Sequence, residues 1–290
     1  MRAILAITVN TFREVVRQRL FLLIIILTAA TLAVMLLLPY FTGREDTAMF
    51  KDLALSTATL AMVFLVALTA SSAMAEEIES RTAMTVLAKP VARWQFLLGK
   101  YLGVVLALGV ATAVLAALLF LTTYIRVYLD AWPRDRVLAF TFSESQPARE
   151  FQAKMLNNAL ATVPGSVMIF YQGTVLAAVA VVLSSRFSRV LAVIVTFGLF
   201  LAGHLSEFVE TAVRHSTDLT RSVATWTIHL APFLETFNLT SRLSHAAPDA
   251  GSETFAALWT YTGLAGLYAL AYAVFVLLLG AALIRGREMT

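Results

Sequence analysis

The stretch 76-EEIESRTAMTVLAKPVARWQFLLGKYLG-103 decides how this chain folds. Three glutamates, two arginines and two lysines stand there between two long apolar runs. Inside a bilayer such a cluster would be a catalytic centre, because charge at that depth is retained where it functions. On a membrane surface it would be a handle, gripped by something in the adjoining compartment.

The flanking sequence is that of a membrane protein. Of 290 residues, 59% are hydrophobic and 14% charged, against about 25% charged in average soluble domains. Mean hydropathy is +0.80. A bilayer core needs roughly 20 apolar residues per helix. Runs nearly free of Asp, Glu, Lys and Arg predict six spans, at 20–42, 53–75, 101–125, 165–185, 188–208 and 257–284. The expected fold is an all-α polytopic membrane protein with one transmembrane domain, 1–290. Nineteen residues, four of them arginines, precede the first span, and no small-residue site closes a short apolar core, so it is not read as a cleaved signal. There are no cysteines, which excludes disulfides.

Six spans put both termini on one face. With that face cytoplasmic, the inner segments hold twelve Lys/Arg in 56 residues and the outer ones ten in 99. The basic density is thus twice as high inside, as the positive-inside bias requires. Segments 126–164 and 209–256 are then extracytoplasmic, and 76–93 is cytoplasmic. Tyr40, Trp94, Tyr124 and Trp259 fall near the predicted interfaces, where amphipathic rings prefer to sit.

Residues 1–19 carry their own pattern. Leu5, Val9, Phe12, Val16 and Leu20 recur at helical spacing, with Arg13, Glu14 and Arg17 off that face. This predicts an amphipathic helix lying in the cytoplasmic headgroup layer. In the third span a small residue returns every fourth position at Gly99, Gly103 and Ala107, a face that lets another helix approach closely. The sixth span repeats the stripe with Ala265, Ala269 and Ala273.

Enzymatic chemistry finds little support. Gly99-Lys100 has no glycine five residues earlier and is followed by Tyr101, so there is no phosphate-cradling P-loop. No nucleophile elbow or zinc-protease motif is present, and the four histidines lack metal-ligand spacing. Glu76, Glu77 and Arg81 fit EExxxR, and Phe200 with His204 fits FxxxH. The pair resembles the motifs of CAAX-processing glutamic intramembrane proteases. That family's phenylalanine before the arginine is Ser80 here, and Glu79, Thr82, Lys89 and Pro90 extend the polarity. So much charge in a bilayer would be very costly.

As a surface segment the stretch makes physical sense. Ala83, Val86 and Leu87 give a short apolar face with the acids clustered at its start, where acids suit a helix N-terminus. Pro90 disfavours helix at Lys89 and is suited to open the next helix, whose Arg93 and Lys100 would hold the cytoplasmic boundary.

This arrangement resembles the permease subunit of type-2 ABC exporters. The motif is carried by Glu77, Glu79, Thr82, Val86 or Leu87, Pro90, Val91, Arg93, Gly99 and Lys100, and 232-PFLETFNLT-240 is similar to the family's re-entrant piece. The resemblance implies that 76–93 is a coupling segment, with Glu76, Glu77, Glu79, Arg81, Thr82, Val86, Leu87, Lys89, Pro90 and Arg93 docking an ATPase. It implies two separate P-loop ATPase subunits, a second permease copy in a homodimer, and a prokaryotic cytoplasmic membrane. ATP and magnesium would belong to the ATPase, with no cofactor or metal on this chain and no nucleic-acid partner. The competing readings are the glutamic protease, using Glu76, Glu77, Arg81 and His204, and a membrane scaffold that transports nothing.

Overall fold

The computed structural model describes residues 2–37, 46–79, 92–130, 146–204, 234–239 and 252–285, with the backbone alone at 46, 74–79, 93, 146–148, 284 and 285. All regular elements among them are helical. In chain order they are α1 (Arg2–Arg17), α2 (Arg19–Leu37), α3 (Asp46–Glu79), α4 (Arg93–Asp130), α5 (Gln146–Leu160), α6 (Thr162–Ser184) and α7 (Arg189–His204). A 3₁₀ turn, Leu234–Phe237, and α8 (Glu253–Arg285) complete the set.

Among the described residues five helical stretches are long and apolar enough to cross a membrane: Arg19–Leu37, Thr47–Ala73, Trp94–Asp130, Arg149–Ser184 and Glu253–Leu283. The run expected as the fifth span appears as α7, whose 16 residues reach only about 24 Å at 1.5 Å per residue. A hydrocarbon core is about 30 Å thick, and the continuation past His204 lies outside the described residues.

Helix α6 is the axis of the bundle. Most of it is buried, from Pro164 and Gly165 through Val175–Val181, and none of it is exposed. It packs against α3, α4 and α8. A side chain on Gly173 would meet Met62 of α3 at 3.0 Å, so the glycine is what permits that approach. From α8 the stripe Ala265, Ala269, Ala273 and Leu277 turns inward, while Leu264, Leu267, Leu270 and Leu278 are exposed. In lipid the driving force for such contacts is close packing rather than apolar burial, so small residues mark the contact faces. Helix α2 buries a narrow stripe, Phe21, Ile24, Thr28 and Leu32, and leaves Leu20, Leu22, Leu23, Leu27 and Leu37 outward.

Two breaks in the helical run have local causes. Pro164 has no N–H for the Leu160 carbonyl and its ring crowds that group; the chain breaks at Ala161, between α5 and α6. Between α1 and α2 a single non-helical residue, Gln18, makes the corner. Its side-chain amide donates to Ser72 Oγ at 3.0 Å, which ties the corner to α3.

The end of the bundle away from α1 is held by polar contacts. Arg126 pairs with Asp130 at 2.9 Å, and its Nη1 donates to the Leu36 carbonyl at the last turn of α2. Thr47 Oγ1 donates to Asp130 at 2.8 Å, and Lys51 donates to Asn158 of α5. At the opposite end, a guanidinium nitrogen of Arg186 donates to the Leu283 carbonyl of α8.

Candidate functional site

The charged connection joins the two longest helices. Helix α3 is described as far as Glu79, so Glu76, Glu77 and Glu79 lie at the end of its described part. The sequence reading expected these acids at the start of a helix. They belong instead to α3, whose described residues run through Glu79. Arg81, Thr82, Val86, Leu87, Lys89, Pro90 and Val91 lie outside the described residues.

Helix α4 opens at Arg93, three residues beyond the proline expected to open it. The reason is a local cap, in which the Ala92 N–H donates to Gln95 Oε1 at 3.3 Å.

The first three turns of α4 form a seat for α1. A Cβ on Gly99 would stand 2.9 Å from the Ile7 side chain, and one on Gly103 would stand 2.6 Å from Thr11 Cβ and 2.8 Å from the Thr8 carbonyl. Only glycine admits this approach. Thr8 Oγ1 donates to the Gly99 carbonyl at 3.3 Å. Ala107, one turn on, is fully buried in the main core. All three residues of the expected packing stripe are therefore used in packing.

Lys100 sits in the same seat. It was expected at a water boundary, yet its side chain is 1% exposed, because α1 covers it. Its ammonium lies 3.5 Å from Glu14 Oε2 and 6.0 Å from the centre of the Phe96 ring. Sequence reasoning placed Glu14 merely off the apolar face. The threonine face that does the packing, Thr8 and Thr11 with Val15, looks too polar to be recognised as buried. Its only sequence signal was the complementary glycine pair on α4.

A second polar cluster lies in the far half of the bundle. The turn Leu234–Phe237 inserts there, with Leu234, Phe237 and Leu239 buried and Leu234 packed over Gly203. Tyr261 Oη donates to the Thr236 carbonyl at 2.7 Å, and Phe237 meets the Tyr268 ring. A small cavity, about 20 Å³, is lined by Leu55 and Thr59 of α3, Gln172 of α6, His204 of α7 and Asn238. The His204 ring lies tilted against that of Phe200, with ring centres 4.5 Å apart.

The two halves of the protease motif are not brought together. His204 shares its cavity with Thr59, which precedes Glu76 by seventeen residues on one unbroken helix. At 1.5 Å per residue that is about 26 Å, whereas two carboxylates and a histidine must share one water to activate it. Among the described residues no group of three His, Cys, Asp or Glu is placed to hold a metal.

No protein-family model matches this chain, and no curated protein matches it.

Proposed function

We propose that this chain is the membrane-spanning permease subunit of an ATP-driven exporter similar to the type-2 ABC transporters, resident in a prokaryotic cytoplasmic membrane. In this reading the chain crosses the membrane six times, with α7 and the residues after it forming the fifth span and both termini in the cytoplasm. Two copies pair, and two separate P-loop ATPases bind beneath them.

The observation that carries the reading is the position of the three glutamates. They adjoin the connection between α3 and α4, and an acidic cluster at that place suits a docking contact with a partner. The next described helix begins at Arg93 and carries the seat of α1 within its first eleven residues. A push on 80–92 would reach α4 directly and α1 through Gly99, Lys100 and Gly103. ATP-driven closure would then bias the bundle through a difference in contact energy between two states.

The test is purification of the tagged chain from its native membrane in mild detergent, with the bound fraction identified and assayed for ATP hydrolysis. A stoichiometric P-loop ATPase is expected, lost on Glu77→Lys and on Arg81→Glu. Arrival of the chain alone, under conditions that preserve a known exporter complex, would overturn the reading.

A further inference from the structure

Helix α1 has three faces, and the bundle buries one and part of a second. At about 100° per residue, Ile4, Ile7, Thr8, Thr11 and Val15 share the arc that packs on α4. Leu5, Val9, Phe12 and Val16 form the next arc; Phe12 and Val16 touch the core, while Leu5 is 64% and Val9 42% exposed. Arg2, Arg13 and Arg17 form the third arc, and all three are exposed. Arg19, just past the corner, is exposed too. The one acid of α1 is Glu14, and it is turned onto Lys100 at 3.5 Å. The basic arc therefore has no counter-charge within its own helix.

We propose that this arc is a binding site for the headgroups of anionic phospholipids. Arg2, Arg13 and Arg17 take the phosphates, and Leu5 and Val9 lie among the upper acyl chains. The occupant follows from position and charge. Helix α2 begins two residues after α1 and presents Leu22, Leu23, Ile26 and Leu27 outward, each more than half exposed. These are acyl-chain contacts, so α1 stands at headgroup level. Guanidinium binds phosphate through paired hydrogen bonds. A zwitterionic headgroup carries its own compensating cation, so attraction to several arginines at once selects lipids of net negative charge. Arg2 and Arg17 are about 22 Å apart along the axis, enough for more than one headgroup. Binding there holds α1 on its seat, whether or not an ATPase docks nearby.

The test uses the full chain in detergent and native mass spectrometry, with phosphatidylglycerol and phosphatidylcholine titrated separately. Wild type should retain phosphatidylglycerol in preference, and the preference should fall as salt is raised. Arg13→Gln with Arg17→Gln should weaken it about thirty-fold, whereas Arg13→Lys with Arg17→Lys should keep most of it. Both positions are exposed, so folding is checked by an unchanged elution profile. Equal retention of the two lipids by wild type would overturn the proposal. So would a phosphatidylglycerol preference that survives the glutamine pair, or a glutamine pair that instead releases an acidic protein.

Discussion

Lys100 and Glu14 meet at 3.5 Å across the contact between α4 and α1, the lysine fully buried and the glutamate partly exposed. Removing one member of a buried pair costs more than removing both, because the other charge keeps its desolvation cost and loses an ion-pair partner. Glu14→Gln should therefore destabilise the protein by about 2 kcal/mol, below the fully buried range because solvent reaches the carboxylate. Glu14→Gln with Lys100→Met should recover most of that loss. Thermal unfolding in one detergent, run as a double-mutant cycle, checks this. Purely additive effects would mean that the pair does not hold the seat.

The glycines beneath α1 give a second prediction. Gly103→Ala places a methyl against the Thr8 carbonyl, which is backbone and cannot rotate aside. Overpacking of this kind costs about 1–3 kcal/mol. Gly99→Ala should cost less, since its nearest neighbour is the Ile7 side chain. Gly198→Ala meets nothing within 4 Å and should be neutral or stabilising by up to about 1 kcal/mol, the ordinary helix preference for alanine. The order Gly103, Gly99, Gly198 in loss of unfolding temperature is the expected result. A reversed order would place α1 elsewhere.

These two sites also mark how far the sequence could be read. The small stripes at Gly99–Gly103–Ala107 and Ala265–Ala269–Ala273 were legible because helices in lipid meet through small residues, and both stripes are buried contacts. The apolar spans were legible for the same reason that α2 leaves its leucines outward: lipid accepts them. What the chain could not announce was its polar burial. Lys100 reads as a surface residue until α1 is laid over it, and Thr8 and Thr11 read as solvent-facing until they are matched to glycines ninety residues away. Helix α5 was hidden by its mixed polarity, inside a segment expected to be extracytoplasmic. The glutamates misled for a different reason: acids favour a helix start, but α3 runs on through them to Glu79.

Arg126 supplies a third test, at the other end of the bundle. It is 5% exposed and holds Asp130 while donating to the Leu36 carbonyl. Asp130→Asn removes a charge that Arg126 pairs with and weakens the acceptor for Thr47 and Arg126 together. Hydrogen bonds to charged groups contribute about 1.5–3 kcal/mol, so a loss of about 2 kcal/mol is expected. Thr47→Val removes one exposed hydrogen bond and leaves the pair between Asp130 and Arg126 in place, so it should cost less, about 1 kcal/mol. Comparable losses for the two variants would show that Asp130 is not the centre of this network.

Leu234 and Gly203 are complementary in volume, and that complementarity can be exchanged. Leu234 is fully buried, and a Cβ on Gly203 would stand 2.8 Å from its side chain. Leu234→Ala leaves a cavity and should cost about 2–3 kcal/mol. Gly203→Ala should cost about 1 kcal/mol, because the leucine it displaces is flexible but already packed. Combined, the two changes move volume from the turn to α7 and should cost less than Leu234→Ala alone. The turn itself can be followed through a single cysteine at Leu239, since the chain has none of its own. Buried in the parent, it should react with a water-soluble maleimide faster in Leu234→Ala and return towards the parent rate in the double variant. If labelling is equally fast in all three, the turn is not held by this contact, and the polar cluster around Gln172 and His204 must seat it instead.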